Sequence, residues 1–208
     1  MWRLNRTSSC GDTLIEVLFA ITVFSLVVVG SISIMNQGVN ASQRALEITL
    51  VRNEIDAQAE TLRFLNSSYL SAYKTGQILA DYAVDSPAYQ WAYMSSRLSD
   101  VIISDFGVVD STCSSFPQKA FIMNTKLAQY IESPTFKPSE TFAQVKYDSS
   151  NDSITSSNGL WIEAVKTTNN PLSPTYYIDF HIRACWNTPG QTKPATTGTI
   201  VRLYEPKY

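Results

Sequence analysis

The sequence predicts an α+β protein. One long amino-terminal α-helix, first membrane-spanning and then amphipathic, packs on a carboxyl-terminal antiparallel β-sheet domain that carries one short helix. Three observations lead there. Leu14 to Met35 is a run of 22 residues with Glu16 as its one charged member. No proline occurs between Met1 and Ser86, so nothing obliges a helix to stop. Beyond Lys119, β-branched and aromatic runs alternate with turn-forming segments.

At ~1.5 Å of rise per residue the apolar run spans roughly 33 Å, enough to cross the hydrocarbon core of a bilayer. Gly30 and Gly38 weaken such a helix by about 1 kcal/mol each relative to alanine. Small residues at Gly30, Ser31 and Ser33 would also let neighbouring helices approach closely. After Asn36 the pattern turns amphipathic, with Ile48, Val51, Ile55, Leu62 and Leu65 at helical spacing. Gln58 interrupts that stripe, and Ala59 fills the gap only in part. Arg44 with Glu47, and Arg52 with Asp56, stand close enough along a helix to pair. A helix over 12–65 would be a rod of roughly 80 Å.

Asn66 to Gly76 reads as a polar linker. Ser86-Pro87 is a helix entry, serine capping and proline at the first position. Trp91, Met94 or Ser95, Leu98 and Ile102 give that short helix an apolar side. Strands are expected over 119–124, 141–147, 160–167, 176–186 and 199–204, with turns over 148–158, 169–174 and 188–197. Alternation is clearest from Tyr176 to Trp186, where Ile178, Phe180 and Ile182 face one way and Asp179, His181 and Arg183 the other. The layout is therefore a short polar leader (1–11), a membrane or core half of the helix (12–36), an amphipathic half (37–66) and an extracytoplasmic domain (67–208).

The formal charge is −2 with 16 basic and 18 acidic residues, and lysine and arginine nowhere cluster. That weighs against a general nucleic-acid binder. Arg3 and Arg6 precede the span, whereas Arg44 and Arg52 after it lie near acidic residues, so the positive-inside rule places the amino terminus in the cytoplasm. Of three cysteines, Cys10 belongs to the leader. Cys113 and Cys185 remain, expected as a disulfide in an oxidising compartment; the alternative is two separate buried thiols.

Gly11-Asp12-Thr13-Leu14-Ile15-Glu16-Val17 followed by an apolar run resembles the type IV pilin-like (prepilin) family over about the first quarter of the chain. The resemblance implies that a membrane prepilin peptidase cuts after Gly11 and methylates the new amino terminus at Asp12. Thr13 to Val17 match the family's Thr-Leu-Ile-Glu-Val signature, while the family usually begins its mature chain with phenylalanine or methionine, not aspartate. Glu16, the fifth mature residue, would then accept the terminal amine of a neighbouring subunit. Asp12, Thr13 and Glu16 are the expected assembly residues. Asp12 and Glu16 lie four apart, and both carboxylates could flank one incoming amine. Implied partners are the peptidase, other pilin subunits, the pilus assembly machinery and membrane lipid before assembly, with any surface or DNA ligand left open. The implied location is the cytoplasmic membrane, single-pass with the amino terminus inside, and then a filament at the cell surface. A minor pilin fits better than a principal subunit because the chain is large.

Other readings compete. A secretion pseudopilin shares the same amino-terminal logic, and a signal-anchored surface domain would never polymerise. A conventional secretory signal could be cut after Val39-Asn40-Ala41, although the apolar run is long for one and contains Glu16. No catalytic function and no cofactor are expected: the lone histidine, His181, shares its strand face with Asp179 and Arg183, which alternation alone produces. No phosphate loop, nucleophile elbow or zinc motif is present. Trp91, Trp161 and Trp186 are expected in the core. The Asn-x-Ser/Thr triplets at Asn40, Asn66 and Asn151 are what chance supplies in so polar a chain.

Overall fold

The computed structural model describes residues 12–74, 83–98, 113, 116–117, 119–166, 176–188 and 191–206. It divides into two units, Met1–Leu46 and Glu47–Tyr208. One α-helix, α1 (Asp12–Lys74), contributes to both. The second unit adds a short helix, α2 (Pro87–Arg97), and eight strands: β1 (Ile122–Asn124), β2 (Gln129–Ile131), β3 (Phe136–Lys137), β4 (Gln144–Tyr147), β5 (Ile154–Asn158), β6 (Leu160–Lys166), β7 (Tyr176–Trp186) and β8 (Ala195–Glu205). They form a β1-β2 pair, a β3-β5-β4 sheet and a β6-β7-β8 sheet, antiparallel throughout except for the parallel β3–β5 pairing. The architecture is α+β, as the sequence pattern predicts.

The amphipathic stripe of α1 does what its spacing requires. Val51, Ile55, Leu62 and Leu65 are buried and share one core with Trp91 and Met94 of α2 and with Ile162, Phe180 and Ile182 of the large sheet. Ser86 caps α2, its Oγ accepting the Tyr89 N–H at 3.3 Å, with Pro87 in the first turn. Trp91 meets Phe180 edge-on with ring centroids 5.8 Å apart. Ile102 lies outside the described residues, as do residues 169–174.

Gln58 is the residue whose role the stripe concealed. It is fully buried. Its Nε2 donates to the Met123 carbonyl and its Oε1 accepts the Met123 N–H, both at 2.9 Å. A side-chain amide thus completes the free edge of β1 as a neighbouring strand would. One turn earlier, the half-buried Glu54 accepts the Val145 N–H at the edge of β4; burial raises its pKa and that hydrogen bond opposes the rise. On α2, Gln90 makes a similar bridge, accepting the Tyr130 N–H of β2 at 3.1 Å and donating to the Val84 carbonyl at 3.0 Å. Glu47 accepts the Trp186 indole N–H at 3.2 Å instead of pairing with Arg44. Among the described residues, the ion pair on this half of the helix is Glu60–Arg63.

Several boundaries need correction. Asn66 to Lys74 is helix rather than linker. Tyr69 and Ala72 carry the buried stripe one more step, Ser67 and Ser68 turn their hydroxyls back to the Phe64 carbonyl at 2.9 Å, and Asn66 donates to the Tyr204 carbonyl at 3.2 Å. The helix-breaking polar groups are thereby satisfied without ending the helix. The expected turn over 148–158 holds only in its first half, since Ile154–Asn158 is β5, the central strand of its sheet. Its buried hydroxyls have partners: Ser157 Oγ donates to the Leu160 carbonyl and Ser156 Oγ to Asn158 Oδ1. The last strand begins at Ala195 rather than Thr199, because every residue from Ala195 to Glu205 finds a register partner on β7. β2 and β3, three and two residues long, carry too short a pattern to be read.

These helix-to-edge bonds can be tested at two positions. Gln58→Leu keeps the volume but strands the Met123 N–H and carbonyl in the core; at about 1–3 kcal/mol for each orphaned group, it should destabilise by about 2–6 kcal/mol in chemical denaturation. A loss within about 0.5 kcal/mol, ordinary for a surface substitution, would show that the amide bonds are dispensable. For Glu54, the folded-state pKa lies above 4.5, so the native state favours the protonated form and its contribution to stability improves as pH falls through the raised value toward 4.5. Glu54→Gln should therefore melt higher than the parent at neutral pH, with the difference shrinking as pH approaches 4.5. A difference constant with pH would refute the desolvated carboxylate.

Candidate functional site

The processing and assembly residues expected from the sequence fall in and just before the amino-terminal part of α1. The leader, Gly11 included, and the side chains of Asp12 and Thr13 lie outside the described residues, so the proposed cut and the 12/16 carboxylate pair have no side-chain geometry to inspect. The helix itself begins at Asp12. From Leu14 on it is long and apolar enough, by length and composition, to cross a membrane, and none of its most apolar stretch is buried. Leu14, Ile15, Phe19, Phe24, Leu26, Ile34 and Met35 are each more than two-thirds exposed. In water such a surface would be a large standing cost, at roughly 25 cal/mol per Å². The sequence folds here because the backbone satisfies itself within the helix, the condition for a segment in lipid.

Three of the hydroxyls inside the run obey the same condition. Thr22 Oγ1 donates to the Phe19 carbonyl at 2.8 Å, and Ser25 and Ser31 donate to the Ile21 and Val27 carbonyls at 2.7 Å. No polar side chain among these three needs a partner from outside. Glu16 differs: it is exposed and is the one charge between Leu14 and Met35. Gly30 and Gly38 have open surroundings, since a Cβ at either would meet nothing within 4 Å. Whatever use a small residue has there lies with a neighbour rather than with this chain.

The remaining predicted residues sit in the second unit. Cys113 and Cys185 form a disulfide, their Cα atoms 5.6 Å apart, linking a residue at φ +53° to the end of β7. It lies in a small satellite core with Ala120 and Trp161, against which Phe116 and Phe136 pack. Gly159, beside it, is held at φ +68° where its N–H meets the Lys137 carbonyl and its own carbonyl accepts from Cys185. A side chain there would collide with the Cys185 carbonyl.

His181, Asp179 and Arg183 share the less buried face of β7, and two of the three are engaged in ion pairs. Asp179 is bonded through both oxygens to Arg202 at 2.7 Å, and Arg183 lies 3.4 Å from Glu163. Burial and the Arg183 charge hold the His181 pKa below its usual value, against the pull of Asp179. Trp91, Trp161 and Trp186 are all in the core, and each gives its indole N–H to a glutamate: Glu205, Glu163 and Glu47. These pairings were not legible in the sequence, where the partners are 2 to 139 positions away. Comparison with protein-family models, with curated proteins and with solved structures gives no match.

The disulfide closes a separation of 72 residues, for which the loop-entropy model gives roughly 4 kcal/mol. Cys113→Ala with Cys185→Ala should lower the unfolding free energy by about that amount while leaving the far-ultraviolet spectrum native; an unchanged denaturation midpoint would show that the bridge contributes nothing.

Proposed function

We propose that this chain is a structural subunit, a minor pilin, of a type IV pilus-like filament. It would be cut after Gly11 and assembled through its amino-terminal helix. The observation that carries this reading is the exposed carboxylate of Glu16 at the start of an otherwise charge-free apolar helix, set in the sequence Gly11-Asp12-Thr13-Leu14-Ile15-Glu16-Val17.

The physical logic is differential. In the bilayer an unpaired carboxylate costs about 2.5 kcal/mol or more at depth and less near the interface, where it snorkels to the headgroups. A neighbouring subunit's free amino terminus offsets that cost by charge pairing in a low-dielectric setting. Cutting after Gly11 creates such an amine on every copy and removes Arg3 and Arg6, which otherwise hold the leader on the cytoplasmic side. The apolar surface that first rests in lipid would later be covered by the same surface of other copies. Lipid contact, peptidase recognition and subunit contact thus use one segment in succession. The second unit would face outward, where its disulfide is chemically at home. No catalytic step is assigned to this chain.

The test is mass spectrometry of the amino terminus of protein recovered from its native membrane and from the sheared surface fraction, parent beside Glu16→Ala. The parent is expected to begin at Asp12, with or without one added methyl group, and to appear in both fractions. Glu16→Ala is expected to be cut at the same place and to vanish from the surface fraction. A chain starting at Ser42 would make this an exported protein with a discarded signal. One retaining residues 1–11 would make it a plain membrane-anchored domain.

A further inference from the structure

Three Asn-x-Ser/Thr triplets lie beyond the leader, at Asn40, Asn66 and Asn151. Such a triplet is the acceptor pattern for N-glycosylation, which takes place on accessible surface loops. Composition alone accounts for their number, but the fold puts them in different settings. Asn66 is buried, and its Nδ2 donates to the Tyr204 carbonyl at 3.2 Å. The hydroxyl of its triplet, on Ser68, donates to the Phe64 carbonyl at 2.9 Å. Asn40 lies inside α1, where the helical ladder holds the Ser42 N–H on the carbonyl four residues back. Neither asparagine stands on a loop.

Asn151 differs on each count. It stands in the turn joining β4 to β5, exposed, with an exposed Ser153 beside it. The turn is closed at its base, where the Asp148 N–H meets the Ser153 carbonyl at 2.8 Å and the Asp152 N–H meets the Asp148 carbonyl at 3.1 Å. Asp152 takes the left-handed step, at φ +55°. The Ser153 N–H then reaches Asn151 Oδ1 at 3.0 Å. The carboxamide is thereby held by its oxygen while its nitrogen stays available. Among the described residues no hydrogen bond engages Asn151 Nδ2 or Ser153 Oγ.

The charges around this turn are engaged as well. Asp152, the middle residue of the triplet, would repel a phosphate-linked sugar donor, but its carboxylate is paired with Lys126. Asp148 turns its Oδ1 to the N–H and the hydroxyl of Ser150. Asn124, at the end of β1, donates to the Asp152 carbonyl at 2.8 Å and braces the turn. What remains presented is one amide nitrogen and one hydroxyl, two positions apart.

We infer that Asn151 is an N-glycosylation site, its co-substrate an oligosaccharide carried on a lipid phosphate. In the transfer, Nδ2 attacks the anomeric carbon of the sugar and a C–N bond forms. The C–O bond to phosphate breaks, the lipid phosphate leaves with the electron pair, and the amide gives one proton to the base of the transferase. The step needs no oxidant or reductant. The donor is lipid-linked because the second unit, with its disulfide, faces outward in the function proposed above, away from cytoplasmic nucleotide sugars. The inference rests on that outward placement and not on polymerisation through α1.

Trypsin releases residues 147–166 as one peptide, in which Asn151 and Asn158 are the asparagines. Mass spectrometry of that peptide, from the chain recovered from its native membrane, tests the site. The parent peptide is expected mainly with an oligosaccharide on Asn151. Asn151→Gln and Ser153→Ala, both exposed changes in a turn, should leave it bare, and Ser153→Thr should keep the glycan. A single hexose would overturn the lipid-linked donor. A glycan that survives Ser153→Ala, sits on a hydroxyl, or appears instead on Asn40 or Asn66 would overturn the site. A bare parent peptide overturns the inference, and the cysteines of the same chains show how far the failure reaches. With the Cys113–Cys185 bridge closed the inference falls alone; with both thiols free the outward placement falls with it.

Discussion

The second unit depends on a side-chain amide standing in for a strand. Gln58 gives its N–H and its carbonyl to Met123, in the interior, where an unpaired peptide group would be costly. That bond sets which face of α1 turns to the sheet, and the neighbouring contacts then fall into line along the helix. Glu47 reaches Trp186, Glu54 reaches Val145 and Asn66 reaches Tyr204. Between them Val51, Ile55, Leu62 and Leu65 fill the core. Apolar packing supplies most of the driving force, but it is indifferent to small rotations of the helix. The polar contacts are not.

α1 uses its polar side chains in two opposite ways. In the apolar part, Thr22, Ser25 and Ser31 fold their hydroxyls back onto the helix's own carbonyls. In the amphipathic part Thr61, Ser67 and Ser68 do the same, but Gln58 and Asn66 send their amides outward to strands. At Thr22, Ser25 and Ser31 the apolar half answers its own hydrogen bonds and asks nothing of its surroundings. The other is built to be completed by the rest of its chain. Glu16 is the one charge in that stretch, which is why it draws the functional argument.

Much of this was legible in the sequence, and the failures share a cause. The long helix, the Ser86-Pro87 entry and the strand from Tyr176 to Trp186 all rest on local patterns: uninterrupted apolar composition, a capping dipeptide and strict alternation, and the cysteine pairing on the two cysteines that remain once Cys10 is set aside with the leader. What went unread was polar and buried. Asn66-Ser67-Ser68 looked like a linker because nothing nearby announces Tyr204 as Asn66's partner. Ile154 to Asn158 looked like a turn because Ser156, Ser157 and Asn158 are turn formers by composition, and only their hydrogen bonds make them strand. Gln58 did leave a trace, as a polar break in an apolar stripe. Such a break is a reasonable place to expect a buried hydrogen bond, though not to name its partner. At the amino-terminal segment the sequence was more informative than the structure, since Gly11 and the side chains of Asp12 and Thr13 carry the motif without described geometry.

The distances along the chain between partners have a consequence for timing. Asn66 waits for a residue 138 positions later, Glu47 for one 139 positions later, and Trp91 for Glu205, 114 positions on. A ribosome makes the helix well over a hundred residues before the strand that completes it. Until β8 exists, the stripe from Val51 to Leu65 has no finished surface to lie on. Contacts so remote in sequence form slowly and together, so the second unit is expected to ripen in one late event rather than in stages. Until that strand emerges, α1 is a helix in search of a domain.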